Sequence, residues 1–176
     1  MTTADEHKQI VLRYIEEVWN KNDPSKFDEF VAPDAVFHDL VREGSFPPGR
    51  AAAQENMRRF QKAFGPDMTM EIHDVIAEGD RVVFRFTSDA VHRGEFQGFP
   101  PTYRSGTVNG LVVVRMEDGR IAEGWAELDQ MGVARQLGLM PGRMPRPLAR
   151  AMVAGIRLRD RLARRRSSGD RPEATR

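Results

Sequence analysis

Apolar residues recur with helical spacing over the first twenty positions. In DEHKQIVLRYIEEVWNK, residues Ile10, Val11, Tyr14, Ile15 and Val18 form one stripe, with Trp19 on its edge. Asp23 followed by Pro24 supplies an N-cap and a first helical residue, so a short second helix is expected with Phe27, Phe30 and Val31 on its apolar side. APDAVFHDL then reads as a turn and a strand, and EGSFPPGR as a loop. RAAAQENMRRFQKAFG predicts a third helix with Ala53, Met57, Phe60 and Phe64 on one side, stopped by Gly65-Pro66. Beyond it the period changes to two. Four strand-like runs follow, MTMEIHDVIAEG, RVVFRFTSDAVHRG, TVNGLVVVRM and RIAEGWAELDQ, punctuated by the turns EGDR and EDGR. MGVARQLGL closes this part as a short terminal helix.

The order is helices, one strand, a helix and a four-strand meander, which gives an α+β fold in which helices group against a curved antiparallel sheet. A bent sheet closed on one side by helices leaves a conical pocket between the layers.

Length and charge refine this outline. A chain of 176 residues suits one domain with an appendage. Of its 27 Lys and Arg and 26 Asp and Glu, residues 1–140 hold 16 and 23, and residues 141–176 hold 11 and 3. An acidic body, net −7, therefore bears a basic extension, net +8. The boundary is placed at 140/141. No run approaches the roughly 18 apolar residues of a membrane span. The polar start MTTADEHKQI does not resemble a secretory signal, so a cytoplasmic location is expected. With no cysteine there is no disulfide, thiolate metal site or Cys nucleophile.

Three places hold candidate chemistry. On the last strand, period two puts Trp125, Glu127 and Asp129 on one face and Ala122, Gly124, Ala126 and Leu128 on the other. If the bulky face fills the pocket, a partly desolvated carboxylate beside an indole becomes a general acid/base; the alternative is an edge strand with two solvated acids. His38 and Asp39 end the first strand, where one of them is expected to enter the pocket; the alternative is a surface pair. Tyr14 fits the apolar stripe, either as a plain core residue or with its hydroxyl aimed at a substrate oxygen. Asn109 sits mid-strand, where pocket lining and a bulge both account for it. His7 and His73 read as surface residues, and His92, in VHRGEFQGFPPTYR, as part of a pocket rim or lid. No His, Asp and Glu cluster has metal-ligand spacing, and no phosphate loop or nucleophile elbow is present.

APDAVFHD, GEFQGFPPTYRSGTV, VVVRMEDGRIAEGWAELD and QLGL, in that order, resemble the SnoaL-like polyketide cyclase (ester cyclase) family, of the nuclear-transport-factor-two-like superfamily, over about residues 6–140. The resemblance implies a cofactor-free intramolecular aldol closure of a polyketide ester. It makes the Asp four residues after the Trp of the last strand, Asp129, the acid/base. Trp125, Phe99 and Tyr14 would wall the cavity, and Glu127, Asp39 or His38 would hydrogen-bond or relay protons. Ketosteroid isomerases of the superfamily carry a helical Tyr and a strand-end Asp similar to Tyr14 and Asp39. Val112 and Tyr103 depart from the wider pattern; the first argues against epoxide hydrolysis. The implied partners are a small polyketide-like molecule and a second copy of the chain. A non-catalytic binding or scaffolding module of the same fold is the alternative function, and a cofactor-less pericyclic cyclase or hydroxylase a further one.

The extension lies outside this resemblance. Leu148, Met152, Ile156 and Leu162 line one helical side, and Arg146, Arg150, Arg157, Arg161 and Arg164 another. Docking on an acidic surface of the same or a neighbouring subunit is expected first, ahead of an anionic membrane or nucleic acid, for which there is no strong signal. SSGDRPEATR is expected to be disordered.

Overall fold

The computed structural model describes residues 3–39, 48–96, 98–140 and 145–168, with side chains described to 38 in the first segment and to 159 in the last. Most of the expected loop EGSFPPGR, the side chain of Asp39, and the end of the chain from residue 169 lie outside the described residues, while Ser167 and Ser168 close a helix. Residues up to 140 and those after it form two separate units.

The first unit opens with α1 (Ala4–Tyr14). Its Thr3–Glu6 capping box satisfies two orphan backbone donors: the Thr3 hydroxyl accepts the Glu6 N–H, and the Glu6 carboxylate accepts the Thr3 N–H at 2.6 Å. The helix does not run on as an α-helix, as its periodicity suggests. From Ile15 to Asn20 it widens into a π-turn. Asp23 caps a 3₁₀ turn (Pro24–Lys26), which passes into α2 (Phe27–Phe30). Next come β1 (Val31–Asp39) and α3 (Arg50–Phe64), which ends at Gly65 with φ of 84°, a conformation glycine adopts without strain. The meander follows as β2 (Thr69–Glu78), β3 (Arg81–Val91), β4 (Ser105–Glu117) and β5 (Arg120–Leu128), and α4 (Gln130–Gln136) ends the unit.

The sheet order is β1-β5-β4-β3-β2. The meander pairs are antiparallel, but β1 joins β5 in parallel, so the sheet is mixed rather than wholly antiparallel. Alternation on β3 fixes its faces. Val82, Phe84 and Phe86 enter the core with Val11, Tyr14, Ile15 and Val18 of the first helix and with Phe27, Phe30 and Met57, while Arg81 and Arg85 stay exposed on the far side. Burying Phe27, Ile15 and Met57, each at most 2% exposed, contributes about 1.5–3 kcal/mol apiece.

The second unit is α5 (Arg146–Ser168). Its described side chains from Ala151 to Arg159 are all exposed, including Met152, Val153, Ile156 and Leu158. None of the described helices is long and apolar enough to cross a membrane.

Candidate active site

A cavity of about 550 Å³ opens among the residues of the helical layer and the sheet face that packs against it. Tyr14, Ile15 and Trp19 border it from the first helix, Phe60 and Phe64 from α3, and Leu137 from α4. From the sheet come Phe84, Phe86, Val112 and Leu128. Among the described bordering residues there is no Asp, Glu, Lys or Arg. An apolar enclosure of this size suits a small ring system.

Glycines let the aromatic rings lie flat on the sheet. A Cβ on Gly124 would stand 2.8 Å from the Phe37 ring, and one on Gly110 would collide with the Phe86 ring. These two positions, in register with Val114 and Leu128, carry no side chain because neighbouring rings occupy the space.

Tyr14 is the wall's best-defined polar group. Its ring is held edge-on by Phe27 and tilted against Phe30, with centroids 5.9 Å away in both cases. A π-turn brings residues five apart onto one side of the helix, and Trp19 is five residues beyond Tyr14. The nearby Trp19 indole favours the ionised phenol. Burial outweighs that influence and pushes the phenol up to about 12. Tyr14 therefore keeps its hydrogen at neutral pH and can donate it. Asn56, Ser88 and Gln130 are further polar side chains at the cavity border.

The last strand departs from the expected arrangement. Gly124, Ala126 and Leu128 face the core, opposite Val114, Val112 and Gly110. The alternate residues Glu123, Trp125 and Glu127 therefore share the other side of the sheet. Glu127 is exposed there beside Leu111. Asp129 lies past the strand end as the N-cap of α4. Its Oδ1 accepts the Gly132 N–H at 2.8 Å, and the carboxylate is exposed. The two acids are thus not gathered with the indole in a dry hollow. The expectation assumed that bulky side chains of β5 fill the pocket, whereas Phe37, Phe84 and Phe86 fill it over small residues of β5.

On that other side the His38 and Trp125 rings stack 5.1 Å apart with an 11° interplanar angle. Arg81 covers the indole at 5.3 Å. His38 Nε2 donates to Glu123 at 2.8 Å, and Arg115 Nε donates to the other carboxylate oxygen at 3.1 Å. These bonds, that from His38 foremost, hold the Glu123 carboxyl below its usual range. Glu123 was not singled out from sequence; its place in the row Arg115–Glu123 follows only from strand register. Asn109 is exposed, pairs with Thr87 and offers its carbonyl to the Asp129 N–H, so it does not line the pocket. Phe99 borders the cavity and is 47% exposed. His73 is exposed as expected, but His7 is buried against the Gly79 carbonyl. His92 is wholly buried rather than part of an exposed rim. Its Nδ1 accepts the Thr102 N–H at 3.2 Å, and its ring lies 5.7 Å from Phe64.

The family model of SnoaL-like polyketide cyclases matches residues 9–137. The chain belongs to the SnoaL-like polyketide cyclase family. Among solved structures, IdmH of Streptomyces antibioticus, provisionally assigned as a polyketide cyclase, is 31% identical, with 75% of this chain and 98% of that one covered and a TM-score of 0.64. AclR of Streptomyces galilaeus, provisionally assigned as a hydroxylase, is 29% identical over 85% of this chain and 95% of its own, with a TM-score of 0.70. A SnoaL-like protein of Jannaschia sp. CCS1, at 21% identity, shares the fold with a TM-score of 0.72 over 80% of this chain and 98% of its own. Comparison with curated proteins gives no match. The family match ends at residue 137, so α5 lies outside it.

Proposed function

We propose that this SnoaL-like protein closes a ring in an uncharged, polyketide-derived carbonyl compound by acid/base chemistry of its own side chains. The observation that carries this is the apolar cavity of about 550 Å³, bordered by no Asp, Glu, Lys or Arg among the described residues, with Tyr14 in its wall. Such a space selects neutral, ring-forming molecules, because an unpaired buried charge is strongly disfavoured. It also folds a flexible chain so that reacting carbons meet.

Ring closure starts with removal of a proton from a carbon flanked by two carbonyls. The enolate carbon then attacks a further carbonyl of the same chain, forming the C–C bond, and the resulting alkoxide takes the proton back. Tyr14, protonated at neutral pH, donates to the enolate oxygen. The proton carrier is Asp129, at the junction of β5 and α4 between the bordering residues Leu128 and Gln130. Its Oδ1 serves the helix cap, leaving Oδ2 for the proton. His38 and Trp125, braced by Glu123 and Arg81, keep the adjoining strand ends in place.

The test is turnover of a methyl-ester polyketide carbonyl substrate by wild type, Tyr14→Phe and Asp129→Asn. Each substitution is expected to lower turnover about a hundredfold while leaving binding nearly intact. The exposure of both Glu127 and Asp129 favours one alternative, a receptacle that binds such molecules without converting them. Bound ligand with no turnover in any variant would establish that alternative.

A second copy of the chain is the proposed partner for the sheet's far face. Register sets Ile76, Val83, Val113 and Trp125 in one row there, with Ile76 66% exposed. An apolar row across four strands suits face-to-face packing of two sheets.

A further inference from the structure

Polar atoms that a folded chain buries without a partner are uncommon and call for an explanation. Two such side-chain atoms occur among the described residues, the Ser88 hydroxyl oxygen and His92 Nε2. Only Ser88 borders the cavity. It lies on β3 in the inward phase, after Phe84 and Phe86 and before Ala90, all of which border the cavity too. Its register neighbours are Met70 on β2 and Val108 on β4, again both at the cavity. Ser88 is 4% exposed, and its hydroxyl oxygen makes no hydrogen bond. A serine placed for packing alone would be an alanine or a valine at this position, since an unpaired hydroxyl is costly where its surroundings are apolar.

We propose that Ser88 is an oxygen-binding point of the cavity: its hydroxyl hydrogen-bonds a carbonyl or hydroxyl oxygen of the bound molecule. This rests on the cavity being the substrate site, and it narrows the substrate class. Tyr14 grips one oxygen from the helical layer, and Ser88 a second from β3. The bound molecule is therefore an uncharged ring compound with oxygens at two separated positions, rather than a hydrocarbon or a singly oxygenated one. Ser88 acts by recognition and orientation and takes no proton in the reaction.

The test compares 9,10-anthraquinone with anthracene on the full chain, read by quenching of Trp19, which borders the cavity. Wild type is expected to bind the quinone more tightly. Ser88→Ala should weaken quinone binding about tenfold and leave anthracene within about twofold. Without ligand its melting temperature should be unchanged or higher, because the variant removes a hydroxyl that has no protein partner. Ser88→Cys, close in volume, should show an intermediate loss for the quinone alone. Equal effects on both ligands, or none, in the two variants would overturn the role of Ser88 and leave the cavity reading standing. Failure of wild type to bind either ligand would overturn both. A ligand-free Ser88→Ala protein that melts lower or does not fold would show that the hydroxyl has a protein partner, and would also overturn the inference.

Discussion

Replacing Tyr14 by Phe tests the most specific electrostatic feature of the cavity. At pH 8 the change removes the phenol oxygen and leaves the ring against Phe27 and Phe30. The pH dependence is more telling. Burial raises the phenol from 10.0 to about 12, roughly two pKa units at about 1.4 kcal/mol each. A folded-state pKa above the unfolded one means a stabilisation fully present below pH 10 and lost as pH climbs through 12, about 2–3 kcal/mol in all. The phenyl ring of the variant has nothing to ionise. The stability difference between wild type and variant should therefore hold steady from pH 8 to about 10, then move against the wild type by most of that amount by pH 12. Urea titrations followed by circular dichroism at each pH give the gap directly, and the absorbance of a tyrosinate forming near pH 12 should vanish in the variant. A gap that stays constant between pH 10 and 12 would refute the burial of the phenol, and with it the claim that Tyr14 reaches the substrate as a donor.

Gly110→Ala should destabilise the protein by about 1–3 kcal/mol, because the new methyl meets the Phe86 ring and stands 2.8 Å from Leu128; an unchanged urea midpoint would contradict that packing. Glu123→Gln should flatten the acid limb of the stability curve. A carboxyl held below its usual range by His38 and then Arg115 stabilises the fold above the unfolded value near 4.5 and ceases to do so as pH falls through its own lower value, so parallel acid titrations of wild type and variant would contradict the assignment. Val113→Asp should shift sedimentation toward a monomer, since it places a charge in the middle of the apolar row on the far face; a sedimentation coefficient equal to that of a dimeric wild type would remove that row from the interface.

Periodicity carried the element order because each amphipathic element has one partner layer. Val11, Tyr14, Ile15 and Val18 repeat at helical spacing and all lie in the core, and Val82, Phe84 and Phe86 alternate on β3 and do the same. The π-turn was not legible, since a stripe tolerates one widened turn without changing which residues are apolar. The parallel pairing of β1 with β5 was also hidden: it depends on where a distant strand docks, and no local signal encodes that.

The site was legible in its components and not in its facing. Tyr14 and Phe99 both border the cavity. The phase of β5 was read the wrong way round because Gly124 and Ala126 look too small for a core, yet the Phe37 ring supplies the bulk over Gly124. Asp129 looked like a further member of the strand alternation, whereas an Asp just before a helix is a strong N-cap, and it caps α4. Ser88 did leave a signal, a lone hydroxyl in the inward phase of an otherwise apolar alternation, visible once the inward face is known.

A cavity of this kind should accept an uncharged ring compound and exclude a charged one. The most direct measurement is the ratio of dissociation constants for 9,10-anthraquinone and its 2-carboxylate at pH 7.5, read by tryptophan quenching. With no Lys or Arg at the border among the described residues, the neutral compound should bind at least about 100-fold more tightly. Equal affinities, or a preference for the carboxylate, would contradict the account.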